Sequence, residues 1–418
     1  MDRPIELHPK LTYILVGDTH EVAGQLAANF YDHPSRKLKL VGVTGTNGKT
    51  SIVQLSHRLF SALDIKTGML STIENKIGNV VLPSSLTTPD AITLQRLLAK
   101  MVEEHCQCAF MEVSSHALDQ GRVLGVTFSV AVFSNITHDH LDYHGTFDHY
   151  IKAKKQLFDS LGKESQALIN IDDRRAMVMT QNTKAFVSTY ALQKAANFKG
   201  RVLDNSSSGL HMFIDGVEVF CHLVGAFNAS NLMAVYGIAR LIGLEQGEVL
   251  KYLSNLRPPS GRMEVVYDKT RDITAFVDYA HTPDALQNVL ETISEIKRKG
   301  QQVITVVGCG GNRDATKRPM MTEIAARYSD QVILTSDNPR FEDPYEIIKE
   351  MQVGIPAHKK HDILSIVNRR EAIRIASSMI HQGGIILVAG KGHEDYQEIE
   401  GKKHPFDDKL VLRECFDR

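Results

Sequence analysis

Residues 42–51 read Gly-Val-Thr-Gly-Thr-Asn-Gly-Lys-Thr-Ser. They follow an apolar run (Leu38, Leu40, Val41) and precede a helix-patterned one (Ile52, Val53, Leu55, Leu59, Phe60). The chain is therefore committed here to a strand, a Gly-rich turn and a helix start. Such a turn aims backbone N–H groups and a helix N-terminus at a polyphosphate. Lys49 can reach the terminal phosphates, and the Thr50 hydroxyl can sit on Mg²⁺. The strict pattern G-x-x-x-x-G-K-[ST] needs Gly at position 43, where this chain has Val43; its glycines are Gly42, Gly45 and Gly48. The competing reading, an incidental lysine in a flexible turn, is disfavoured by the strand-to-helix setting.

From Leu38 onward apolar strand-like runs alternate with amphipathic helices. Phe110–Val113, Val130–Phe133 and Ala167–Ile171 read as buried strands, and Ala91–His105 and Asp148–Leu161 as helices. This alternation argues for an α/β fold with a mostly parallel sheet. Arg257-Pro-Pro-Ser-Gly-Arg262 interrupts it and marks a boundary. Beyond it, strands are expected at Ile273–Val277, Val303–Val307, Val332–Thr335 and Ile385–Ala389. Helices are expected from Thr282 (N-cap, with Pro283 at the first helical position), from about Pro319, from Pro344, and near Arg370–Ile380. That is a second, Rossmann-like doubly wound domain. Ligands bind such sheets at the carboxyl ends of strands, which singles out the loops Asp278–Asp284, Gly308–Asp314, Ser336–Arg340 and Gly390–Asp395. Residues 1–37 hold one expected strand (Tyr13–Val16) and one helix (Glu21–Tyr31), too few for their own core.

The chain has 418 residues, 43% hydrophobic and 23% charged, with a formal net charge of −1. The balance points to neither nucleic acid nor an anionic membrane. No apolar run reaches the roughly 18 residues that span a bilayer, and the start lacks a signal core. Cys106, Cys108, Cys221, Cys309 and Cys415 fit neither a disulfide framework nor paired zinc spacing. Reduced thiols in a cytoplasmic protein are the expectation.

Several clusters carry chemistry. Glu112, in Met111-Glu-Val-Ser-Ser-His116, ends a strand and is a candidate Mg²⁺ ligand; a surface glutamate fits the spacing equally well. Residues 138–144 hold three His and two Asp directly after the strand Val130–Phe133. This suits a metal or phosphate site but not closed structural zinc. The helix Asp148–Leu161 carries Lys152, Lys154 and Lys155, which spacing alone assigns to a solvated basic face. A desolvated lysine beside a cation would instead lose its proton readily and capture CO₂ as a carbamate. Gly308-Cys-Gly-Gly-Asn-Arg-Asp314 is not a dinucleotide fingerprint, since Arg313 takes the third Gly position. An anion-binding loop with Arg313, Lys317 and Arg318 as cations fits better. In Ser336-Asp-Asn-Pro-Arg340, the Arg is a natural bidentate partner for a carboxylate.

Taken together, Thr-Gly-Thr-Asn-Gly-Lys-Thr, Met-Glu-Val-Ser-Ser-His, Asn-Ile-Thr-His-Asp-His-Leu-Asp-Tyr-His, Asp-Tyr-Ala-His-Thr-Pro-Asp and Gly-Lys-Gly-His-Glu-Asp resemble the Mur ligases of peptidoglycan synthesis, from about residue 11 to the C-terminus. The resemblance implies a remnant of an N-terminal UDP-binding domain over 1–37, a central ATP-binding domain over 38–261, and a C-terminal amino-acid-binding domain over 262–418. It implies a cytoplasmic, monomeric ligase using ATP and Mg²⁺. ATP would be held by Gly45, Thr46, Asn47, Gly48, Lys49, Thr50, Ser51, Asn228, Asn231 and His281. Lys49, Glu112, His140 and Lys154 would be catalytic, with Thr50, Glu112, His140 and Lys154 (as a carbamate) around the metal. Thr87, Thr88, Ser114, Gln120 and Arg122 match contacts to the muramoyl-peptide substrate, UDP-MurNAc-L-Ala-D-Glu.

The third amino acid is implied as well. Asp337-Asn-Pro-Arg340 resembles the signature of the members that add meso-diaminopimelate, and Arg313, Asp337, Asn338, Arg340, Gly390 and Glu394 match the positions that grip its distal end. Diaminopimelate differs from lysine by a carboxylate, which wants a fixed cation such as Arg340; a site built for that pair should reject lysine. Two alternatives stand beside this: a lysine-adding ligase, against which Arg340 argues, and a non-catalytic ATP-binding protein, which the resemblance allows because only the tail of the relatives' N-terminal domain is expected here. A folylpolyglutamate synthase shares the superfamily, but the Asp-Asn-Pro-Arg and Gly-His-Glu-Asp loops disfavour it.

Overall fold

The computed structural model describes residues 9–10, 12–13, 15–137 and 139–417. Among them, the first sheet has eleven strands: β1 (Lys39–Thr44), β2 (Thr67–Leu70), β3 (Glu74–Ile77), β4 (Val80–Pro83), β5 (Cys108–Glu112), β6 (Val130–Phe133), β7 (Gln166–Asn170), β8 (Phe186–Ala191), β9 (Phe198–Ser206), β10 (Gly209–Ile214) and β11 (Val217–Cys221). Their order is β11-β10-β9-β8-β7-β6-β1-β5-β2-β3-β4. The stretch from β2 to β9 is parallel, and antiparallel pairs finish both edges. The central parallel strands β1, β5 and β6 are buried on both faces, as their apolar runs require.

Helices Lys49–Ala62 and Ala226–Ile242 cover one face of this sheet, and Ala91–Glu103 and Phe147–Asp159 the other. The connection from β5 to β6 passes over β1, so β1 lies between them. Register then sets Val43 beside Glu112 and Thr44 beside Phe133. The Gly-rich turn after Thr44 thus emerges flanked by the ends of two neighbouring strands, where loops and ligands meet.

The second sheet holds β12 (Glu264–Asp268), β13 (Ile273–Asp278), β14 (Val303–Cys309), β15 (Gln331–Ser336), β16 (Ile363–Ser365) and β17 (Ile385–Ala389), in the order β12-β13-β17-β14-β15-β16. Only β12 runs antiparallel. Helices Pro283–Ile296, Lys317–Tyr328 and Pro344–Gln352 pack on one face, and Arg369–Met379 and Asp408–Phe416 on the other. Thr282 caps the first of these, its hydroxyl accepting from the Ala285 N–H, with Pro283 at the helix start. A hairpin of β18 (Tyr396–Ile399) and β19 (Lys402–Pro405) stands beside the sheet.

Of the strand expected over Tyr13–Val16, Ile14 lies outside the described residues, and the rest is not in a strand. The helix that follows is Thr19–Phe30. Cys106, Cys108, Cys221 and Cys309 are buried free thiols, and Cys415 is half-buried.

The second unit is pinned by a fully buried ion pair. Arg369 donates to both oxygens of Asp408 at 2.7 Å and to the Ala389 carbonyl at 3.0 Å. Ala389 ends β17, so the pair anchors the start of the Gly390–Asp395 loop. Removing one member of such a pair strands the other charge. Asp408→Ala is expected to lower stability by about 3–5 kcal/mol. Equilibrium denaturation would measure it, and a loss under about 1 kcal/mol would mean that the guanidinium finds another partner.

Candidate active site at the strand ends

Two lysines from helices on opposite faces of the first sheet converge on one carbonyl. Lys49 Nζ donates to Gly45 O at 2.9 Å and to Thr46 O at 2.9 Å. Lys154 Nζ donates to Gly45 O at 2.7 Å and lies 4.6 Å from the centre of the Tyr150 ring. Lys154 is only 1% exposed. Burial, then the neighbouring Lys49, pushes its pKa well below the usual lysine value, with Asp139 opposing. Burial also lowers Lys49, against the pull of Glu112 and Asp139. The helix that carries Lys154 starts at a Thr146 N-cap. Its apolar stripe is a core face, and Lys154 lies inside that face. The solvated reading therefore holds for Lys152, which is exposed, but not for Lys154 or Lys155. Lys155 is buried and bonds Asp159 one turn on.

Thr50 donates its hydroxyl to Glu112 Oε2 at 3.0 Å, and Glu112 Oε1 accepts from the Thr72 N–H at 2.8 Å. Among the described residues no three His, Cys, Asp or Glu side chains form a metal-binding group. Mg²⁺ at phosphates needs only one or two protein oxygens, since phosphate oxygens and water supply the rest. The Thr50 hydroxyl and the Glu112 carboxylate provide such a hard-oxygen pair. The side chains of Thr88, Ser114 and Arg122 continue from Glu112. Thr88 Oγ1 donates to Glu112 O (2.9 Å) and accepts from Ser114 N (3.1 Å), and Arg122 donates to Thr88 O (3.0 Å) and to Gln120 Oε1 (2.9 Å). Thr87 accepts from Thr72 at 3.0 Å. All five expected peptide-substrate residues thus link to Glu112, directly or through Thr72 and Thr88, in one connected patch.

His140 adopts a left-handed backbone (φ 54°) and stands 3.4 Å from Asp139. Desolvation lowers its pKa to about 4, with Lys49 and Lys154 adding to the effect and Asp139 opposing it. Burial works against the ionisation of Asp139, but His140, His281 and Lys49 outweigh it and hold its pKa low. His138 of this cluster lies outside the described residues.

The second unit reaches into this centre. Arg262 Nη2 donates to Thr50 Oγ1 at 3.2 Å, its guanidinium lies 4.7 Å from the Tyr279 ring centre, and its buried Nε has no partner among the described residues. An orphaned cationic donor beside the Gly-rich turn suits an anionic ligand. Asp284 accepts from Asn47 Nδ2 at 2.6 Å and from Thr137 Oγ1 at 3.0 Å. His281 Nδ1 is 2.8 Å from Tyr279 O. On the far side of the turn, Asn231 donates to Asn228 at 3.1 Å, and Asn228 donates to Val224 O at 2.8 Å.

A second cluster occupies the ends of β14, β15 and β17. Asn338 Nδ2 donates to Glu394 Oε2 at 2.8 Å, and Asn338 N donates to Asp337 at 2.7 Å. Arg340 donates to Gly311 O at 2.9 Å and stands 3.5 Å from Glu398. Gly390 has φ +114°, and a Cβ there would lie 2.5 Å from Asp337 Oδ2. Arg313 is exposed at the rim and bonds none of the described residues. The expected trio of loop cations does not form. Arg318 is 2% exposed and bound to Glu342 (2.8 Å) and Glu350 (2.7 Å), while Lys317 donates to His281 O at 3.0 Å.

Residues 43–239 match the Mur ligase middle domain, and residues 261–392 the Mur ligase glutamate ligase domain. The chain belongs to the Mur ligase family. It is 55% identical, over 99% of its length and 85% of the relative's, to the UDP-N-acetylmuramoyl-L-alanyl-D-glutamate--2,6-diaminopimelate ligase of Cytophaga hutchinsonii. The ligase of the same name from Bacteroides fragilis is 51% identical over the same shares. A solved structure of a UDP-N-acetylmuramoyl-L-alanyl-D-glutamate--2,6-diaminopimelate ligase aligns with a TM-score of 0.67 at 37% identity, covering 95% of this chain and 83% of that one. The folylpolyglutamate synthase of Mycobacterium tuberculosis shares the fold, with a TM-score of 0.72 at 18% identity and 95% of each chain covered.

Local sequence patterning assigns no role to Arg262, Asp284 and Lys391, three residues that the fold of this Mur ligase brings to the strand ends. Arg262 directly follows the Pro-Pro-Ser-Gly break, which was the available signal. Asp284 and Lys391 lie inside motifs whose other members drew attention.

The Gly-rich turn is packed to its limit. Gly48 has φ +90°, and a Cβ there would sit 2.5 Å from Asn231 Oδ1. Gly48→Ala is expected to weaken ATP binding at least tenfold, since both the backbone and Asn231 must shift. Calorimetric titration would measure it; unchanged affinity in a folded variant would show that Asn231 yields freely.

Proposed function

We propose that this Mur ligase joins meso-diaminopimelate to UDP-N-acetylmuramoyl-L-alanyl-D-glutamate at the expense of ATP. The observation that carries the reading is the meeting of the two strand-end centres, through Arg262 on Thr50 and Asp284 on Asn47. Residues 38–261 then form the nucleotide-holding unit and 262–418 the amine-bringing unit. The names of the relatives at 51–55% identity support the same reaction.

The D-glutamyl carboxylate oxygen attacks the γ-phosphorus of ATP, ADP leaves, and an acyl phosphate forms. The amine nitrogen of diaminopimelate attacks the acyl carbon, phosphate departs, and the amine sheds a proton. Lys49, the Gly45–Ser51 backbone and Arg262 bind the phosphates as charge moves across them. Asn228, Asn231 and His281 frame the nucleotide. Thr50 and Glu112 would hold Mg²⁺, with His140 on the same side; when bound, the ion neutralises the phosphate oxygens. Thr87, Thr88, Ser114, Gln120 and Arg122 orient the peptide carboxylate. Asp337, Asn338, Arg340, Gly390, Glu394 and Arg313 receive the amine substrate. Contact between the units excludes water that would hydrolyse the acyl phosphate.

Lys154 has a finer role in this proposal. Its depressed pKa makes the neutral amine easier to reach, and that amine would add to CO₂, giving a carbamate and releasing a proton. The carbamate offers anionic oxygens beside Lys49. Among the described residues no helix is long and apolar enough to cross a membrane. Soluble ATP and a nucleotide-linked substrate favour the cytoplasm.

Phosphate release from ATP and Mg²⁺, with the UDP-linked dipeptide and either meso-diaminopimelate or L-lysine, tests the function. Release is expected with diaminopimelate and not with lysine. Release with lysine, or with neither amine despite ATP binding, would contradict it. For the carbamate, Lys154→Ala is expected to lose at least 100-fold in kcat and to recover in part with millimolar formate or acetate, which restore an anionic oxygen in the vacated space. An alanine variant near wild-type activity would remove Lys154 from the mechanism.

A further inference from the structure

The second cluster contains a lysine with no solvent contact. Lys391 is 0% exposed, yet it follows a strand end in a loop of polar residues. Its ammonium donates to Asn338 Oδ1 at 2.9 Å and to Glu394 Oε2 at 2.9 Å, and it lies 5.4 Å from the centre of the Tyr396 ring. Two strong acceptors and an aromatic ring surround its three N–H bonds, which explains how the charge is tolerated in the interior.

The consequence falls on Asn338. A primary amide presents an acceptor at one end and donors at the other, and its two ends are nearly isosteric. An ammonium can only donate. Lys391 therefore forces Oδ1 of Asn338 toward itself, and the Glu398 backbone N–H, also donating to Oδ1 at 2.9 Å, reinforces that choice. Nδ2 then points the other way. One of its N–H bonds goes to Glu394 Oε2 (2.8 Å), and the second is unused among the described residues. Glu394 Oε2 accepts from both Lys391 and Asn338, whereas its Oε1 takes no hydrogen bond from them. The cluster thus ends in one fixed donor and one fixed acceptor, side by side on Asn338 and Glu394. A carboxylate and an ammonium on the same carbon need such a pair. The distal centre of diaminopimelate has both groups, and lysine has only the ammonium.

We infer that Lys391 is a positioning residue for amine selectivity: it fixes the polarity of the Asn338 amide and one oxygen of Glu394, so that the site offers a donor to the distal carboxylate and an acceptor to the distal ammonium. This rests on the diaminopimelate reading above. Lys391 need not touch the substrate, and its effect belongs to the amine step alone.

Lys391→Met, of similar length and apolar, tests it in the full-length enzyme. The expected result is a KM for meso-diaminopimelate raised at least tenfold, with the KM for ATP changed less than about twofold. The ratio of kcat/KM for diaminopimelate over L-lysine should fall at least tenfold, because Glu394 Oε2 loses its ion-pair partner and Asn338 Oδ1 keeps only the Glu398 N–H, so the donor and acceptor lose their set positions while the ammonium contact partly survives. A purely structural role would depress all substrates alike, and that uniform loss, or an unchanged ratio, would overturn the inference. If Lys391→Met does not fold, Lys391→Gln serves: its amide can donate or accept, so it stays polar at that position without the charge that fixes Glu394 Oε2 and Asn338 Oδ1, and the same fall in the selectivity ratio is expected. Wild-type enzyme that ignores diaminopimelate would overturn the functional reading and this assignment together. An active wild type with an unaltered ratio in the variant overturns this assignment alone.

Discussion

Two lysine side chains share one carbonyl oxygen just beyond β1, and most of the centre is arranged around their charge. Lys49 and Lys154 arrive from opposite faces of the sheet and meet at Gly45 O, at 2.9 and 2.7 Å. Like charges this close in a buried place disfavour full protonation of both. The strain falls on Lys154, which is the more enclosed. Either anions arrive or a proton leaves. A polyphosphate would satisfy Lys49, and the proposed carbamate would convert Lys154 from a surplus cation into an anion. Asp139, held ionised by His140, His281 and Lys49, is the nearby carboxylate that tempers the excess.

The same economy of charge links the two units. Arg262 leaves the Pro-Pro-Ser-Gly segment, stacks on Tyr279 and reaches Thr50, while Asp284 reaches Asn47. The Gly-rich turn is therefore contacted by a cation and an anion from the second unit. Gly261 permits this path. A Cβ there would lie 2.0 Å from His393 N, so the linker passes directly against the Gly390–Asp395 loop. On the proposed function, nucleotide contacts and amine contacts would be built from neighbouring stretches of backbone, so that small movements would couple ATP occupancy to amine placement.

Local patterning revealed the strand–turn–helix at Gly42–Ser51, the parallel core strands, the Thr282-Pro283 helix start and the post-strand loops. Each of these is governed by near neighbours. What stayed hidden depends on long-range pairing. Strands β8 and β9 carry polar residues on both faces and extend the edge of an existing sheet, so their own periodicity is faint. β12 is a half-exposed edge strand for the same reason. Lys154 and Lys155 look like any solvated helix face until the helix is docked. Arg318 resembles an anion-binding cation until Glu342 and Glu350 close on it. Lys391 gains meaning only when β15 and β17 bring Asn338 and Glu394 beside it.

The most direct test of the charge argument is carbon-13 NMR of the purified protein equilibrated with ¹³C-bicarbonate near pH 8. The account predicts a slowly exchanging carbamate carbonyl resonance that is absent from Lys154→Met and fades as pH falls and the amine is reprotonated. A spectrum without it, together with a Lys154 amine that titrates like a solvated lysine, would show that the two ammonium groups coexist and would contradict the account.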